Sequence, residues 1–513
     1  MWQELEIMRG KREYGDYQTP LDFAEKVCIY LKNNRYIRPS AVVEPTCGIG
    51  SFIQSSLVFN AEEYYGIEIN PDYCKICKKN IQDDRVKIIN SDFFSYSSKV
   101  LIKNKSQVLV IGNPPWVTNS TLSVLGSDNL PIKGNFKRLK GMEAITGTSN
   151  FDICEYIILQ LIREYRDSNT VISMLCKTSV ARNVFKELKR NYINFEVCDI
   201  LEFDASKVFG INASACILLI QLSDRPVSSD VCNVYDFEAP VTAKSQFGYL
   251  NGQFYSKFDS STEYFDGRCC FEWRQGVKHD CSKVMELSLR DERLENGKKE
   301  SVEIEADYIF PLVKSSMFKA PVIHNFSKFV IVTQRKAREE TEHLEHEVPK
   351  TWRYLNENIE LFENRKSSIY RGAPPFSMFG VGEYSYSQYK VGVSGFYKQP
   401  MFSVLYSEDK KPVMTDDTSY FICFDSYDMA YVAMLLLNSA KVQMFLKSIA
   451  FLDAKRPYTK KVLERIDFEK IVKRLSLDEL SQTEQELQLN PYVTDGMYCD
   501  FKAMLGTGQL SFA

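Results

Sequence analysis

The chain has 513 residues, of which 44% are hydrophobic and 26% are charged, and its formal net charge is −3. This composition excludes an intrinsically disordered chain, and the length predicts about two to four domains. The near-neutral charge balance excludes a compact module that is basic throughout, and 14 irregularly spaced cysteines predict buried thiols in a reducing compartment rather than a disulfide framework.

Two features argue against a membrane or secreted protein. The strongest apolar runs, such as Cys216–Ile220 and Ala433–Leu437, are far shorter than the ~20 residues that a membrane-spanning helix needs. The first residues, 1–15, are charged and contain no apolar stretch of the kind found in a signal peptide. We therefore expect a cytoplasmic protein that has no membrane partner.

Helices and strands alternate through roughly the first 225 residues. Apolar residues at helical spacing predict helices over 21–33, 71–80, 154–165 and 181–190. Short apolar runs predict strands over 41–43, 64–69, 86–89, 108–111, 171–175, 197–201 and 215–222. This alternation predicts an α/β fold with a parallel, doubly wound sheet.

The composition and hydrophobic pattern of the sequence change after residue 225. Residues 226–266 are rich in Ser, Asp and Pro without a clear period, and short β-like runs follow. We therefore predict a first domain over 1–240, a mixed α+β domain over 241–465 and an acidic C-terminal tail over 466–513. The charge is segregated accordingly, because 441–465 holds seven bases against two acids and 466–513 holds four bases against eight acids.

A glycine-containing loop, Glu44–Phe52, follows the first predicted strand. Gly48 and Gly50 allow a tight turn and a close approach of the backbone to a ligand. Glu68 lies at the end of the next strand, where an acidic residue accepts hydrogen bonds from ribose hydroxyls in nucleoside-binding folds. The loop lacks both a third glycine and a P-loop lysine, so the predicted ligand has a ribose without a cradled phosphate. A simple turn is the alternative.

A second cluster, Asn113-Pro114-Pro115-Trp116, follows the strand predicted over 108–111. The prolines stiffen the backbone and keep their carbonyl acceptors, which lie beside an amide oxygen and a flat aromatic ring. This combination suits a planar group with an exocyclic NH₂. The alternative is a stiff loop without chemistry.

Two weaker signals accompany these motifs. Asp92-Phe93 could hold an adenine ring by its amino group and one face, or could be a helix N-cap followed by a core Phe. Phe209 could supply a second stacking face or simply pack in the core. Three of the four signals lie at the carboxyl ends of successive predicted strands, which is where open α/β sheets bind ligands.

With these motifs in this order, the sequence resembles the S-adenosylmethionine-dependent DNA adenine-N6 methyltransferases of the gamma type. Residues 15–20, with the sequence GDYQTP, resemble the family's N-terminal cofactor motif, and Asn113–Trp116 resembles its catalytic motif. The resemblance covers about residues 12–225. Tryptophan replaces the commoner Tyr or Phe of the catalytic motif, and the long polar stretch Val117–Ser149, which contains Lys133, Lys137, Arg138 and Lys140, is expected to close over DNA.

The resemblance implies a role for each motif residue. Thr19, Pro20, Glu44, Cys47, Gly48 and Gly50 would hold the methionine end of S-adenosyl-L-methionine, Glu68 its ribose, and Asp92 and Phe93 its adenine.

The resemblance also implies how the base is bound. The target adenine would be flipped out of the duplex and stacked between Trp116 and Phe209. Asn113 and the Pro114 carbonyl would accept hydrogen bonds from its N6, and Pro115 would complete the rigid motif. The methyl group would then be transferred by direct in-line attack.

The first domain is thus expected to be catalytic and the second to recognise double-stranded DNA. Lys455, Arg456 and Lys460 mix with an aromatic residue in a way that suits phosphate contacts, although a solvated helix end is the alternative. We expect a bacterial enzyme that acts as a monomer on DNA. It would be either the modification enzyme of a restriction-modification system, with a cognate endonuclease as partner, or a solitary methylase.

No metal is expected. Cys74 and Cys77 have metal-ligand spacing but lie on one face of a predicted helix without a second pair nearby, which favours core thiols. His343 and His346 are spaced i, i+3, whereas zinc enzymes with paired histidines use i, i+4.

Two other functions remain open from the sequence. The same acceptor cluster could methylate another planar amino group, namely cytosine N4, an RNA base or a protein glutamine. A non-catalytic DNA-binding specificity subunit is the alternative from a different class.

Overall fold

The computed structural model describes residues 17–100, 107–117, 152–257 and 264–506, which form two compact units that divide after residue 258. The first unit contains a ten-stranded sheet with helices, and the second contains two five-stranded sheets with helices. The structure therefore has the predicted architecture of a Rossmann-like sheet followed by a mixed α+β region.

The helices of the first unit are α1 (Leu21–Asn33), α2 (Ser51–Ser56), α3 (Pro71–Asn80), α4 (Ile153–Glu164), α5 (Thr178–Arg190) and α6 (Ala205–Phe209). Its strands are β1 (Ala41–Glu44), β2 (Glu63–Glu68), β3 (Val86–Asn90), β4 (Val108–Gly112), β5 (Val171–Lys177), β6 (Phe195–Asp204), β7 (Ser214–Leu222), β8 (Val231–Asp236), β9 (Ser245–Leu250) and β10 (Gln253–Tyr255). Short 3-10 turns cover Leu57–Phe59, Phe93–Ser95 and Ser98–Val100.

The order of the strands explains where a ligand binds. The sheet runs β10-β9-β8-β6-β7-β5-β4-β1-β2-β3, with β1 to β5 parallel to their neighbours within that set. The chain winds outward from β1 to β3 on one side and from β4 to β5 on the other. The carboxyl ends of β1 and β4 therefore border the switch point at which such sheets bind ligands.

The doubly wound sheet is parallel as predicted from β1 to β5, but it departs from the parallel arrangement beyond β5. Strand β7 is inserted between β5 and β6 and runs antiparallel to both. Only residues 205–213 separate β6 from β7, whereas a parallel return needs a crossover of about a dozen residues or more. The short connection therefore requires the strand to run back along its neighbour.

The first unit also extends past the boundary predicted at residue 240. Strands β8, β9 and β10 lie in the stretch that was predicted to be irregular, and they pair in succession onto β6. Buried and partly exposed residues alternate along β8, as expected for a strand near the edge of a sheet. Because these strands belong to the sheet, the compact unit continues to residue 258.

Helix α3 shows how the local sequence sets an element. Its N-cap, Asn70, accepts from the backbone N–H of Asp72 at 2.9 Å, and Pro71 occupies the first helical position. Cys74 and Cys77 are buried on the inner face of this helix, as predicted for core thiols.

The helices of the second unit are α7 (Ser282–Met285), α8 (Leu344–Glu347), α9 (Pro349–Asn356), α10 (Ile359–Glu363), α11 (Tyr427–Asn438), α12 (Ala440–Ile449), α13 (Lys460–Leu463), α14 (Phe468–Val472), α15 (Leu477–Glu486) and α16 (Asp495–Gly506). Its strands are β11 (Arg274–Gln275), β12 (Glu286–Arg290), β13 (Arg293–Glu295), β14 (Ile309–Val313), β15 (Val322–Ile323), β16 (Lys328–Ile331), β17 (Tyr389–Ser394), β18 (Ser403–Leu405), β19 (Met414–Thr415) and β20 (Ser419–Phe424). Short 3-10 turns cover Ala306–Tyr308, Ser315–Met317, Ser368–Tyr370 and Glu383–Tyr386.

The predicted acidic tail is an integral part of the second unit. Helices α14, α15 and α16 bury Phe468, Leu480, Tyr498 and Phe501, and the α16 helix packs against α11 and α14. The separate tail predicted over 466–513 is therefore wrong. Most of its acidic residues lie on the outer faces of helices whose apolar faces are buried, and Glu484 is itself buried, where it accepts from the Tyr431 hydroxyl, so net charge alone was misleading.

Among the described residues, no single helix is long and apolar enough to cross a membrane, and only the pair α11 and α12, bent by 63°, meets that criterion jointly.

Candidate active site

The loop after β1 needs its glycines. Gly48 and Gly50 have positive φ angles of +52° and +92°, which side-chain-bearing residues rarely adopt. A Cβ on Gly48 would overlap the Gln18 side chain, and one on Gly50 would overlap Sγ of Cys77. The loop therefore turns tightly against its neighbours Gln18 and Cys77.

Glu68 ties this loop to the end of β2. Its carboxylate is buried and accepts from the Gly48 N–H at 2.8 Å through Oε2 and from the Asn70 N–H at 2.8 Å through Oε1. Glu68 is thus fixed in the place predicted for binding a ribose.

Glu44 is the last residue of β1, and its buried carboxyl group reaches the first turn of α2. Its Oε2 accepts from the Ile53 N–H at 3.0 Å. Burial raises the pKa of Glu44 well above its usual range, with further increases from Cys77 and Glu68, and the Ile53 hydrogen bond opposes this rise only in part. A cation bound nearby would favour the ionised carboxylate.

The cysteine of the loop is not a reactive thiol in this structure. Cys47 is buried, and its backbone N–H donates to the Ile67 carbonyl at 2.9 Å. A hydrogen bond with Cys77 and burial raise the pKa of the Cys47 thiol well above its usual range. Its contribution to the site is therefore the position of its backbone.

Asp92 and Phe93 show the structural roles that the sequence offered as alternatives. Asp92 caps the short helix Phe93–Ser95, because its Oδ1 accepts from the Phe94 N–H at 3.0 Å. Phe93 is buried in the hydrophobic core, with its ring centroid 5.5 Å from that of Phe94. The adenine-binding role of both residues stays a prediction.

The motif Asn113-Pro114-Pro115-Trp116, predicted to be catalytic, begins directly after β4. The Asn113 side chain donates through Nδ2 to the Tyr17 carbonyl at 2.8 Å. Its Oδ1 is buried and has no hydrogen-bond donor among the described residues, and the same holds for the indole N–H of Trp116, which lacks an acceptor there. Pro114 is buried and Pro115 is half-buried. A buried acceptor without a donor is costly, so Oδ1 is a place where a ligand N–H would be stabilised.

The two rings predicted to sandwich a base are in contact with each other. Trp116 and Phe209 have centroids 5.6 Å apart and planes inclined at 68°. A base stacked between two rings needs them parallel and about 7 Å apart, which is twice an ordinary contact distance. The structure therefore brings both residues to one place but not into the predicted sandwich.

The N-terminal motif contains Thr19 and Pro20, which the sequence analysis singled out, and also Tyr17 and Gln18, which it did not. Thr19 is buried and Pro20 precedes α1. Tyr17 lies with its ring centroid 6.2 Å from those of both Trp116 and Phe209, and Gln18 Oε1 accepts from the Ile49 N–H at 3.2 Å. The only signal for Tyr17 in the sequence was its membership of the motif at residues 15–20.

The predicted N-terminal cofactor motif and the predicted DNA-closing loop are only partly covered by the described residues. Gly15 and Asp16, together with residues 118–149 of the expected DNA-closing loop, lie outside the described residues. Across the described ranges, no cluster of three or more His, Cys, Asp or Glu side chains is arranged to hold a metal ion.

The predicted DNA-binding cations lie in the second unit. Lys455 is exposed, whereas the Arg456 guanidinium lies 5.1 Å from the Phe396 ring centroid and donates to the Asp417 carbonyl at 3.5 Å. Lys460 is near two carboxylates, Glu272 at 3.9 Å and Glu464 at 3.7 Å. Of the three, Lys455 is the most available to a phosphate.

Comparisons with known proteins show the family to which this chain is similar. The N-6 DNA methylase family matches residues 7–245. The type II methyltransferase M.NspV of Nostoc sp. (strain ATCC 29411 / PCC 7524) is 37% identical over 476 residues, which cover 91% of this chain and 98% of that protein. The modification methylase CviBIII of Paramecium bursaria Chlorella virus NC1A is 22% identical over 48% of this chain and 60% of its own length.

A solved structure supports the fold over nearly the full length. The type IIL restriction-modification enzyme MmeI, in complex with DNA, aligns with a TM-score of 0.51 at 11% identity, over 98% of this chain and 77% of that chain. Because the similarity to M.NspV extends through both units, it covers more than the shared methyltransferase sheet. The chain belongs to the N-6 DNA methylase family of restriction-modification DNA methyltransferases, with S-adenosyl-L-methionine as its cofactor.

Proposed function

We propose that this protein is a site-specific DNA adenine-N6 methyltransferase that flips its target adenine into the pocket beside Asn113. The observation that carries the proposal is the buried Asn113 Oδ1, which lacks a donor among the described residues. The exocyclic amino group of adenine supplies two N–H donors, one for this oxygen and one for the Pro114 carbonyl. These hydrogen bonds would localise the lone pair on N6 and stabilise the positive charge that develops there.

The residues of the first unit fit the cofactor of the family. Glu68 would accept hydrogen bonds from ribose hydroxyls, and the positive-φ glycines give the loop the tight turn that brings its backbone beside Glu68. Glu44 offers a buried carboxyl group near a cationic methionine end. When bound, S-adenosyl-L-methionine supplies an electrophilic methyl group. The protein then has only to position the amino group for direct in-line attack, which needs no strong base.

The depth of this pocket supports the proposal of base flipping. Trp116 is only 7% exposed, so an adenine held within a duplex cannot reach it. The flipped base would separate Trp116 from Phe209 and stack on one face of each ring. Because this stacking takes the place of the edge-to-face packing between the same two rings, the free-energy cost of opening the pocket stays low.

The second unit is proposed to bind the duplex. Donor side chains from two segments gather around Asp417: Gln275 and Arg456 donate to its carbonyl, and Lys278 Nζ lies 3.7 Å from its carboxylate. Arg274, on the edge strand β11, is paired with Glu272. Arginine, glutamine and aspartate are side chains that read base edges, and lysine suits phosphates.

The setting of the activity is also part of the proposal. We expect a monomer that methylates its site in the bacterial cytoplasm, and a cognate endonuclease that cleaves the same site when it is unmethylated. The sedimentation coefficient of the protein bound to a duplex tests the monomer, since a dimer would add a second mass of 59.2 kDa.

The test of the reaction is direct. The purified protein is incubated with unmethylated genomic DNA and S-adenosyl-L-methionine, the DNA is digested to nucleosides, and the products are identified by mass spectrometry beside an Asn113→Ala control. N6-methyladenine from the wild type alone would support the proposal. N4-methylcytosine would keep the chemistry and overturn the base. Absence of methylated nucleosides, despite measurable cofactor binding, would overturn the DNA reaction.

A further inference from the structure

The Asn113 side chain is held by a residue far from it in sequence. We propose that Tyr17 is a positioning residue for methyl transfer, because it fixes the Asn113 amide with Oδ1 turned toward the target amino group. The inference rests on the proposed function and adds a residue to it. Tyr17 does not need to touch the reacting atoms, since it acts through Asn113.

The hydrogen bond determines which way the amide faces. A backbone carbonyl can only accept, so the amide nitrogen of Asn113 must face the Tyr17 oxygen, 2.8 Å away. The amide oxygen is then forced to the opposite side, where it is buried without a donor among the described residues. An amide turned by 180° would present N–H groups to the amino group of the base and repel it.

Two contacts hold the segment that carries this carbonyl. The Tyr17 ring packs against Trp116 and Phe209, with both centroid distances 6.2 Å. The next residue, Gln18, accepts from the N–H of Ile49 at 3.2 Å. The carbonyl is therefore clamped between the aromatic rings of the base pocket and the glycine loop of the cofactor site.

The ring of Tyr17 is not a core residue whose loss would unfold the protein. It is 38% exposed, whereas Trp116 beneath it is 7% exposed. Removing the ring should therefore free the backbone of residue 17 while the fold persists. The expected consequence is a loss of alignment at Asn113 rather than a loss of stability.

The test compares Tyr17→Ala with the conservative Tyr17→Phe under saturating cofactor and DNA. Tyr17→Ala is expected to lower kcat by about tenfold or more, the effect of losing one well-placed hydrogen bond, with little change in the KM for either substrate. Tyr17→Phe keeps the ring contacts and is expected to rescue the rate. Tyr192→Ala, which removes a tyrosine that is 86% exposed in the same unit, is the matched control. Thermal unfolding of each variant checks that the fold is intact.

Repeating the Tyr17→Ala substitution in an Asn113→Asp variant distinguishes a positioning role of Tyr17 from a role in packing the pocket. An aspartate at position 113 still accepts from the base but has no N–H to offer the Tyr17 carbonyl. In an Asn113→Asp background, Tyr17→Ala should therefore cost less than about threefold, because the hydrogen bond is already missing. An equal loss in both backgrounds, or a loss confined to KM, would overturn the proposal in favour of simple pocket packing. If the Asn113→Asp rate is too low to measure, the kcat and KM values of Tyr17→Ala and Tyr17→Phe decide.

Failure of this inference is distinct from failure of the proposed function. A wild type that methylates adenine while Tyr17→Ala is equally fast would refute the role of Tyr17 alone. A wild type that leaves DNA unmethylated would refute the function.

Discussion

The proposed cofactor region, with Glu44, Glu68 and Asp92, and the proposed base region, with Asn113 and Trp116, lie at neighbouring strand ends. They differ in how many of their polar side-chain atoms have a hydrogen-bond partner within the chain. In the cofactor region, the carboxylates of Glu44, Glu68 and Asp92 each accept from a backbone N–H. In the base region, Asn113 Oδ1 and the Trp116 indole N–H have no partner in the described parts of the chain. Backbone N–H groups therefore hold the carboxylates of the first region, whereas the second region keeps one acceptor and one donor without a partner among the described residues.

This difference has a cause in the chemistry of the two ligands. A cofactor binds on every turnover and benefits from fixed donors and acceptors, because no reorganisation is then needed. The base proposed to enter the second region would have to separate Trp116 from Phe209, whose rings are in edge-to-face contact. The predictions below test whether a substitution in one region leaves the function of the other region unchanged.

The largest effect is expected from Asn113→Ala. Loss of the amide oxygen removes a transition-state contact, so kcat should fall by about 10²–10³. Cofactor binding should persist, because the hydrogen bonds of Glu44 and Glu68 do not involve this residue. Radiolabelled methyl transfer and a cofactor thermal shift measure the two quantities. If Asn113→Ala lost cofactor binding as well as methyl transfer, the two regions would not be independent.

The second effect concerns the stability of the cofactor region. Gly50→Ala places a side chain at a φ of +92° and against Cys77, so the free energy of unfolding should fall by about 1–2 kcal/mol from the backbone and further from the overlap. Gly252→Ala is the matched control, because Gly252 has a φ of +78° with no atom within 4 Å of the added Cβ. Urea unfolding of both variants isolates the overlap. Equal losses would show that Cys77 moves aside without cost.

The contrast between the regions also explains what the sequence could predict. Helices α1 and α3 begin and end where their apolar spacing and the Asn70 cap place them, because those signals are local. The antiparallel direction of β7 depends on the length of a connection, and the strand pairing of residues 231–255 depends on a neighbour already being present. The spacing of apolar residues predicts neither the direction of β7 nor the pairing of residues 231–255.

The candidate site divides in the same way. Gly48, Glu68 and Asn113 were found because each lies at a strand end within its own motif. Tyr17 was not, since its bond to Asn113 joins residues 96 positions apart. The edge-to-face contact of Trp116 and Phe209 was also beyond a sequence argument, because it is a property of the pocket without a base.

The third effect is the pH dependence caused by Glu44. Its folded pKa is raised above the unfolded value of about 4.3, so as pH rises above that value the unfolded chain releases a proton that the folded chain keeps. The free energy of unfolding should then fall by up to about 1.4 kcal/mol per pH unit until the folded pKa is passed. Glu44→Gln should remove this slope, whereas Glu25→Gln, at an exposed position, should keep it. Urea titrations from pH 4 to pH 8 provide the comparison, and a slope unchanged by Glu44→Gln would contradict the assignment.

The smallest effect is expected in the second unit, which should influence DNA binding without altering the cofactor region. Lys455→Ala removes an exposed cation, so the slope of log Kd for DNA against log salt should decrease in magnitude by about one, the value for a single phosphate contact. The affinity for cofactor should stay the same. Lys473→Ala, which removes another exposed lysine of this unit, serves as the control and should leave the slope unchanged. If both variants shift the slope equally, the effect is general charge rather than a contact at residue 455, and the DNA-binding surface then lies elsewhere on the second unit.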